Sequence, residues 1–541
     1  MSQTGQLLKG QSGLPVDSPT KSYWHREPSE KLIGHRTTKE LPRSADVVIV
    51  GSGITGSFAA HFLKEKRPDL SIVMLEAREA CWGATGRNGG HCQPAIYASK
   101  AHIASFELRN FSFIKNLVEE FSIPCDWRST SGVHAFYSAP LFAHVRNAVN
   151  KLADEYPDLA ANVAVVTRGD GKADSLSGTP SYLLEGERRE LTLEGLRVPH
   201  AEGAVVQWNA ASLWPYKLVA FVLERLLAAN DDRGGGGSFN LQANTPATGL
   251  SSSSPPANLS APGGTNITSD SPPIWTVHTP RGTVSAPRVL LATNGYTSHL
   301  LPSFADLIVP TQGQVSALKP PEEPATPSDP PLDIGHTYYV MGEPDNAMER
   351  DDYLIQRPPP SAELVFGGGR RHAKGRGVGV WDDGSVDEAV AWYLRGELGA
   401  VLDLSLHHGK TDSSSGSSSS SSDNKQTTKK QDLEPTYEWT GIMGYSRDGH
   451  PFVGPVPASL GGGGGGLYVC AGYTGHGMPN AVLSAKAAVD MMYDGDGAEV
   501  DLPPEYELTE QRVAAARGVD EVATVDAKGS LYADFGAMGG L

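Results

Sequence analysis

The run Ala45-Asp46-Val47-Val48-Ile49-Val50-Gly51-Ser52-Gly53-Ile54-Thr55-Gly56 decides the fold. Its first half is a short, continuous, β-branched stretch, the pattern of a strand buried on both faces. It leads directly into glycines at 51, 53 and 56. A helical spacing follows through Phe58, Ala59, Phe62 and Leu63, then a turn at Arg67-Pro68-Asp69. A second buried strand is expected at Ser71-Ile72-Val73-Met74-Leu75-Glu76, completing a βαβ unit. In such a unit Gly51 permits the tight turn, Gly53 lets a pyrophosphate approach the backbone, and Gly56 lets the helix pack close to the strand. Ser52, Ile54 and Thr55 lie between them, where a helix N-terminus offers free N–H groups and positive dipole to phosphates. Glu76, 20 residues after Gly56, would accept hydrogen bonds from a ribose diol and repel a 2′-phosphate.

A second glycine-rich segment, Gly83-Ala84-Thr85-Gly86-Arg87-Asn88-Gly89-Gly90-His91, follows closely. A nicotinamide dehydrogenase has no need of one there. A longer cofactor such as FAD does, because its flavin extends beyond the pyrophosphate. Gly86, Arg87, Asn88, Gly89, Gly90 and His91 are therefore candidate cofactor contacts. A third segment, Val289-Leu290-Leu291-Ala292-Thr293-Asn294-Gly295, reads as a buried strand ending in a turn at Gly295, after a hairpin at 275–286. A fourth, Ala471-Gly472-Tyr473-Thr474-Gly475-His476-Gly477-Met478, opens a last helix from about Pro479 to Met492. Gly472, Gly475, Gly477 and Met478 would bring backbone and a helix dipole to a flavin edge that gains negative charge on reduction.

Outward from these segments, helices are expected at 101–121, 143–156 and 215–229, and strands at 132–137 and 181–185. Residues 1–43 read as a polar tail, with Tyr23 and Trp24 able to dock on the body, and 496–541 as a C-terminal extension. Low-complexity insertions at 249–272 and 411–430, and glycine runs at 234–237 and 461–466, have compositions expected to form flexible loops. The chain has 541 residues and a formal charge of -17. That charge argues against nucleic acid or an anionic membrane as partner. No apolar run reaches the roughly 18 residues of a membrane span. Four cysteines, Cys81, Cys92, Cys125 and Cys470, are too few for a disulfide scaffold. The N-terminal stretch lacks the apolar region of a secretory signal, so a cytoplasmic location is expected. No His/Cys/Asp/Glu spacing suggests a metal.

The order of the four segments resembles the D-amino-acid oxidase superfamily of FAD-dependent oxidoreductases. Thr85-Gly86-Arg87-Asn88-Gly89-Gly90 is most similar to the gamma-glutamylputrescine oxidase and glycine/sarcosine oxidase branch. So are Pro310 with Gly313-Gln314, and Gly449-His450-Pro451-Phe452-Val453-Gly454-Pro455. The resemblance spans about 44–495. It implies an α/β fold in which a Rossmann-type FAD-binding domain (44–100, 195–300 and 436–495) is interleaved with an α+β substrate domain built on a mixed sheet (101–194 and 301–435). It implies oxidation of a C–N bond of an amine or amino acid by hydride transfer to flavin, hydrolysis of the imine, and reduction of molecular oxygen to hydrogen peroxide. Arg370, beside Arg371, is the candidate clamp for a substrate carboxylate; the other reading of this pair is a solvated strand end. His476 and Tyr473 are candidates for orienting substrate, or for packing. Relatives resembling sarcosine oxidase attach FAD through a cysteine ahead of the segment matching 445–455. Thr440-Gly441-Ile442-Met443-Gly444 has none, so non-covalent FAD is expected, with His91 and Cys92 as the open alternatives. Two rival readings are a dehydrogenase with another electron acceptor and a catalytically silent flavoprotein scaffold.

Overall fold

The computed structural model describes residues 7–168, 191–231, 237–253, 274–321, 331–344, 346–406, 432–494 and 500–519. The strand expected at 181–185, the insertion 411–430, most of 249–272 and the end of the C-terminal extension lie outside them.

Val47–Val50 and Ile72–Leu75 are strands joined by the helix Ile54–Lys66. They sit in a six-stranded sheet ordered Phe452–Pro455, Leu467–Ala471, Arg288–Leu291, Val47–Val50, Ile72–Leu75, Phe239–Gln242. All neighbours are parallel except the first pair. The unbroken apolar sequence of these strands follows from cover on both faces. Val47, Ile49, Ile72 and Met74 pack with residues of the helices Ile54–Lys66, Pro215–Asp231 and Ala481–Tyr493. Val48, Val50, Val73 and Leu75 pack with Trp275, Val277 and Val284 of a three-stranded antiparallel sheet.

That small sheet corrects one expectation. Gly249–Ser253, assigned from composition to a loop insertion, is its third strand and pairs with Ile274–Thr279. Its three consecutive serines, Ser251, Ser252 and Ser253, are all exposed on an edge strand, where polar side chains are tolerated. The glycine run 461–466 also packs: Trp275 donates its indole N–H to the Gly465 carbonyl at 2.9 Å, and a side chain on Gly462 would overlap the Val456 carbonyl.

A second, nine-stranded sheet is mixed. Its order is Pro435–Ser446, Ile308–Leu318, Leu364–Gly367, Asn346–Gln356, Thr337–Glu343, Arg128–Phe136, Gly203–Ser212, His91–Cys92, with Val163–Thr167 also on Gly203–Ser212. Only the pair 128–136 with 337–343 is parallel. Strands 203–212 and 435–446 therefore lie in this sheet, although the boundaries expected from the sequence put them with the Rossmann-type part. One face carries the helix Glu388–Val401 and the other the helix Ala139–Glu155. The former is capped by Asp387, whose carboxylate accepts from Ala389 N–H and Val390 N–H.

Residues 7–43, expected as a tail, run across the body. Tyr23 and Trp24 are fully buried in the main core with Trp214 and Trp439. In the C-terminal part, Leu508 N–H donates to the Val453 carbonyl, and Arg512 forks onto both Asp448 oxygens at 2.9 and 3.0 Å. No described helix is long and apolar enough to cross a membrane.

Candidate active site

One continuous cavity runs between the two large sheets. It is lined by backbone from all four glycine-rich segments, including Gly51, Gly53, Gly89, Asn294 and Gly475, and it reaches Arg370 and Tyr445 of the mixed sheet.

At one end stands the N-terminus of the helix Ile54–Lys66. Gly51 lies at φ +105°, a conformation glycine adopts without strain. Gly53 is the helix cap and no side chain caps it. Thr85 Oγ accepts from Ile54 N–H at 3.1 Å, tying the second glycine-rich segment to the first. Gly53 N–H and Thr55 N–H donate to no acceptor among the described residues, so this helix end keeps donors for an anion. Glu76 closes the same end. Its Oε2 accepts from Ser52 N–H (3.0 Å) and Ser52 O–H (2.6 Å), and its Oε1 from Arg78 N–H at 3.0 Å. One lone pair of Oε1 remains for a ligand hydroxyl. An uncapped helix end, a glycine turn and an acidic strand end together fit the diphosphate and ribose of a dinucleotide.

Of the cofactor candidates, Gly51, Gly53, Ile54, Thr55, Glu76, Arg87, Asn88, Gly89, His91, Gly475, Gly477 and Met478 line the cavity. Ser52, Gly56, Gly86, Gly90, Gly295 and Gly472 do not. Ser52 orients Glu76 instead. A side chain on Gly56 would meet the Gly51 carbonyl, on Gly86 the Cys81 carbonyl, and on Gly295 the Met443 carbonyl at 2.6 Å. Gly90 lies under Trp24, and Gly472 donates its N–H to Asn294 Oδ1 at 3.0 Å. Gly56, Gly86 and Gly295 are thus glycines of close backbone approach, while Gly90 makes room for a ring. Arg87 is nearly buried. Its Nε donates to the Thr440 carbonyl at 2.7 Å and lies 3.1 Å from Asp383, so the guanidinium braces the loop.

At the other end, Arg370 is buried, against the solvated reading of the Arg370–Arg371 pair. Its Nη1 donates to Tyr445 O–H at 2.6 Å and lies 3.5 Å from Asp351, while its buried Nε has no partner among the described residues. The turn that carries it is held by Asp352, whose Oδ1 accepts from Gly369 N–H at 2.7 Å. Burial pushes the Asp352 carboxyl up to about 7. Arg371 instead pairs with Glu343.

His476 opens on the cavity and on a smaller adjoining one lined by Tyr97, His134 and Tyr506. Its Nε2 lies 3.0 Å from Glu107 Oε2. Burial alone would lower the imidazole's proton affinity, but the Glu107 carboxylate outweighs it and the value is raised. Tyr473 hydroxyl is already engaged, 3.0 Å from Thr55 Oγ and 3.1 Å from Cys470 Sγ. It pins the fourth glycine-rich segment to the first helix, and burial pushes its pKa up.

His91 lies against Tyr339, with Nε2 2.9 Å from Gln93 Oε1. Burial pushes its imidazole down to about 3, and its Nδ1 has no partner among described residues. Cys92 is fully buried and outside both cavities, with its thiol pushed up by burial.

Glu107 was missed in the sequence. Its signal is a carboxylate set in the apolar stripe of the helix Ala101–Phe121, one turn from Ile103 and Phe111, both buried. Among the described residues no group of three His, Cys, Asp or Glu side chains could hold a metal ion.

A largely parallel sheet with a glycine turn at its strand–helix junction, opposed by a mixed sheet across a cleft, is a dinucleotide-binding architecture. A family model described as FAD dependent oxidoreductase (DAO) matches residues 46–491, and the chain belongs to that family. It is similar to the probable oxidoreductase OrdL of Rhizobium meliloti, 22% identical over 478 residues and 85% of each chain. Among solved structures it resembles glycine oxidase from Geobacillus kaustophilus, with TM-score 0.58, 17% identity, and 86% of this chain and 99% of that one covered. It also resembles L-proline dehydrogenase from P. horikoshii, with TM-score 0.57, 16% identity, and 88% and 100% covered. The protein is an FAD-dependent oxidoreductase.

Proposed function

We propose that this enzyme oxidises the C–N bond of an amine or amino acid. FAD, when bound, supplies the hydride acceptor, and the proposed electron acceptor is molecular oxygen, reduced to hydrogen peroxide after the imine is hydrolysed. The observation that carries the reading is Arg370. A buried guanidinium on the cavity wall, with Nε unpartnered among the described residues, is suited to a substrate carboxylate. Asp351 and Tyr445 fix its plane. His476, whose proton affinity Glu107 raises, would face the same ligand, and Tyr473 would position backbone rather than exchange protons. The solved relatives named glycine oxidase and L-proline dehydrogenase support an amino-acid substrate.

The proposed attachment of FAD is non-covalent. Cys92 lies outside the cavity, and the cavity-lining His91 is the one remaining nucleophile of the loop. The proposed domain division follows the two large sheets, and the proposed location is the cytoplasm. Four free, buried cysteines suit a reducing compartment.

Amines and amino acids should be screened anaerobically for bleaching of the flavin absorption, then in air for peroxide. Bleaching by an amino acid with stoichiometric peroxide is expected. Bleaching without peroxide would make the protein a dehydrogenase, and no bleaching by any amine would make it a silent scaffold.

A further inference from the structure

Residues 12–24 precede the stretch matched by the family model, which begins at 46. They nevertheless reach the cofactor cavity. Leu14 and Pro15 line it together with Gly51, Gly53 and Glu76. On one side of them, Ser12 N–H donates to Ser298 Oγ at 2.9 Å, next to His299 and Leu300 of the cavity wall. A side chain on Gly13 would collide with the Trp381 indole.

On the other side the segment grips the second glycine-rich loop. Thr20 is the centre of the grip. Its N–H donates to the Asp383 carbonyl at 2.8 Å. Its hydroxyl oxygen accepts from Arg87 Nη2 at 2.6 Å and from Thr440 N–H at 3.0 Å. Ser22 O–H donates to the Gly86 carbonyl at 2.8 Å, and Trp24 Nε1–H to the Asn88 carbonyl at 2.6 Å. Trp24 is in turn locked, its carbonyl accepting from Trp214 Nε1–H at 2.7 Å. Three successive residues of the loop, Gly86, Arg87 and Asn88, thus take their positions from this segment.

We infer that residues 12–24 are a strap that forms one wall of the FAD site and holds FAD in place. Two consequences follow from a wall anchored at both ends. FAD leaves only when the strap's hydrogen bonds open, so loosening them speeds release. Conversely, bound FAD holds the strap down through Leu14 and Pro15, so the strap opens more often in the apoprotein.

The test uses the full chain, first shown to bind FAD. FAD release from diluted holoprotein is followed by recovery of free-flavin fluorescence for wild type and Thr20→Val. Separately, wild-type apo- and holoprotein are treated with trypsin, and cleavage after Lys21 is timed by mass spectrometry. Release at least tenfold faster in Thr20→Val, and cleavage at least tenfold faster in the apoprotein, are expected. Equal cleavage of the two wild-type forms, or release from Thr20→Val within twofold of wild type, would overturn the strap. Wild type that binds no FAD would overturn the cofactor reading instead.

Discussion

At the scale of single residues, two glycines of one fingerprint have different work. Gly56 touches the Gly51 carbonyl, backbone against backbone. Gly53 has the Thr85 side chain near its missing side chain, with Oγ at 3.0 Å, and an ordinary φ of -68°. Gly56→Ala should therefore destabilise the fold by roughly 1–3 kcal/mol, the usual range for overpacking. Gly53→Val should leave the fold intact and weaken FAD binding by on the order of 100-fold, about 2.7 kcal/mol. Urea unfolding of the apoproteins and flavin titration separate the two. Equal loss of stability in both variants would contradict the distinction. The fingerprint was legible in the sequence because a buried strand, a glycine turn and a helix adjoin one another in the chain. The division of labour among its glycines was not, since it depends on which atoms face each one.

At the scale of elements, the helix Ala101–Phe121 was legible to its ends, from its apolar periodicity alone. Its function lies in the exception to that periodicity. Glu107 accepts from Ala95 N–H at 2.6 Å and Asn480 Nδ2–H at 2.9 Å while facing His476. The pairing is long-range, between residues 369 apart in the chain, so nothing local announces it. Glu107→Gln keeps the shape and removes the charge. Burial then acts unopposed on His476, and its proton affinity falls. The pH dependence of flavin reduction by substrate should shift to lower pH. An unshifted profile would show that His476 does not titrate in the reaction. Strand Gly249–Ser253 was illegible for the opposite reason: serine composition masked an edge strand whose register is set by Ile274–Thr279.

At the scale of the whole molecule, the interleaving of the two sheets was expected only through the family resemblance that the order of four glycine-rich segments carries, and strands 203–212 and 435–446 fall in the mixed sheet instead. The strap was not legible: residues 12–24 carry no periodicity, and their contacts reach positions as distant as Asp383 and Thr440. Burial also sets the acid response of the fold. His25, His91 and His134 are pushed down to about 3 and His336 to about 4, each chiefly by burial. Their neutral forms are favoured in the folded state, while the unfolded chain takes up protons near 6.5. This contribution is fully present above about 6.5, declines as pH falls, and is lost below about 3 to 4. Each histidine changes stability by roughly 1.4 kcal/mol per pH unit within that window. Asp352, pushed up to about 7 by burial, and His476, raised by Glu107, act in the opposite sense, but burial also lowers His61, His299 and His450, which act with the first four. The urea midpoint should be clearly lower at pH 5 than at pH 7.5, and a higher midpoint at pH 5 would contradict the account. The central claim is that this cleft holds FAD through backbone, helix dipole and Glu76. Its most direct test is acid precipitation of the purified protein, with flavin measured in pellet and supernatant. The account predicts a yellow supernatant that carries the released flavin, over a colourless pellet. Protein that is colourless from the start and takes up no added FAD would contradict it.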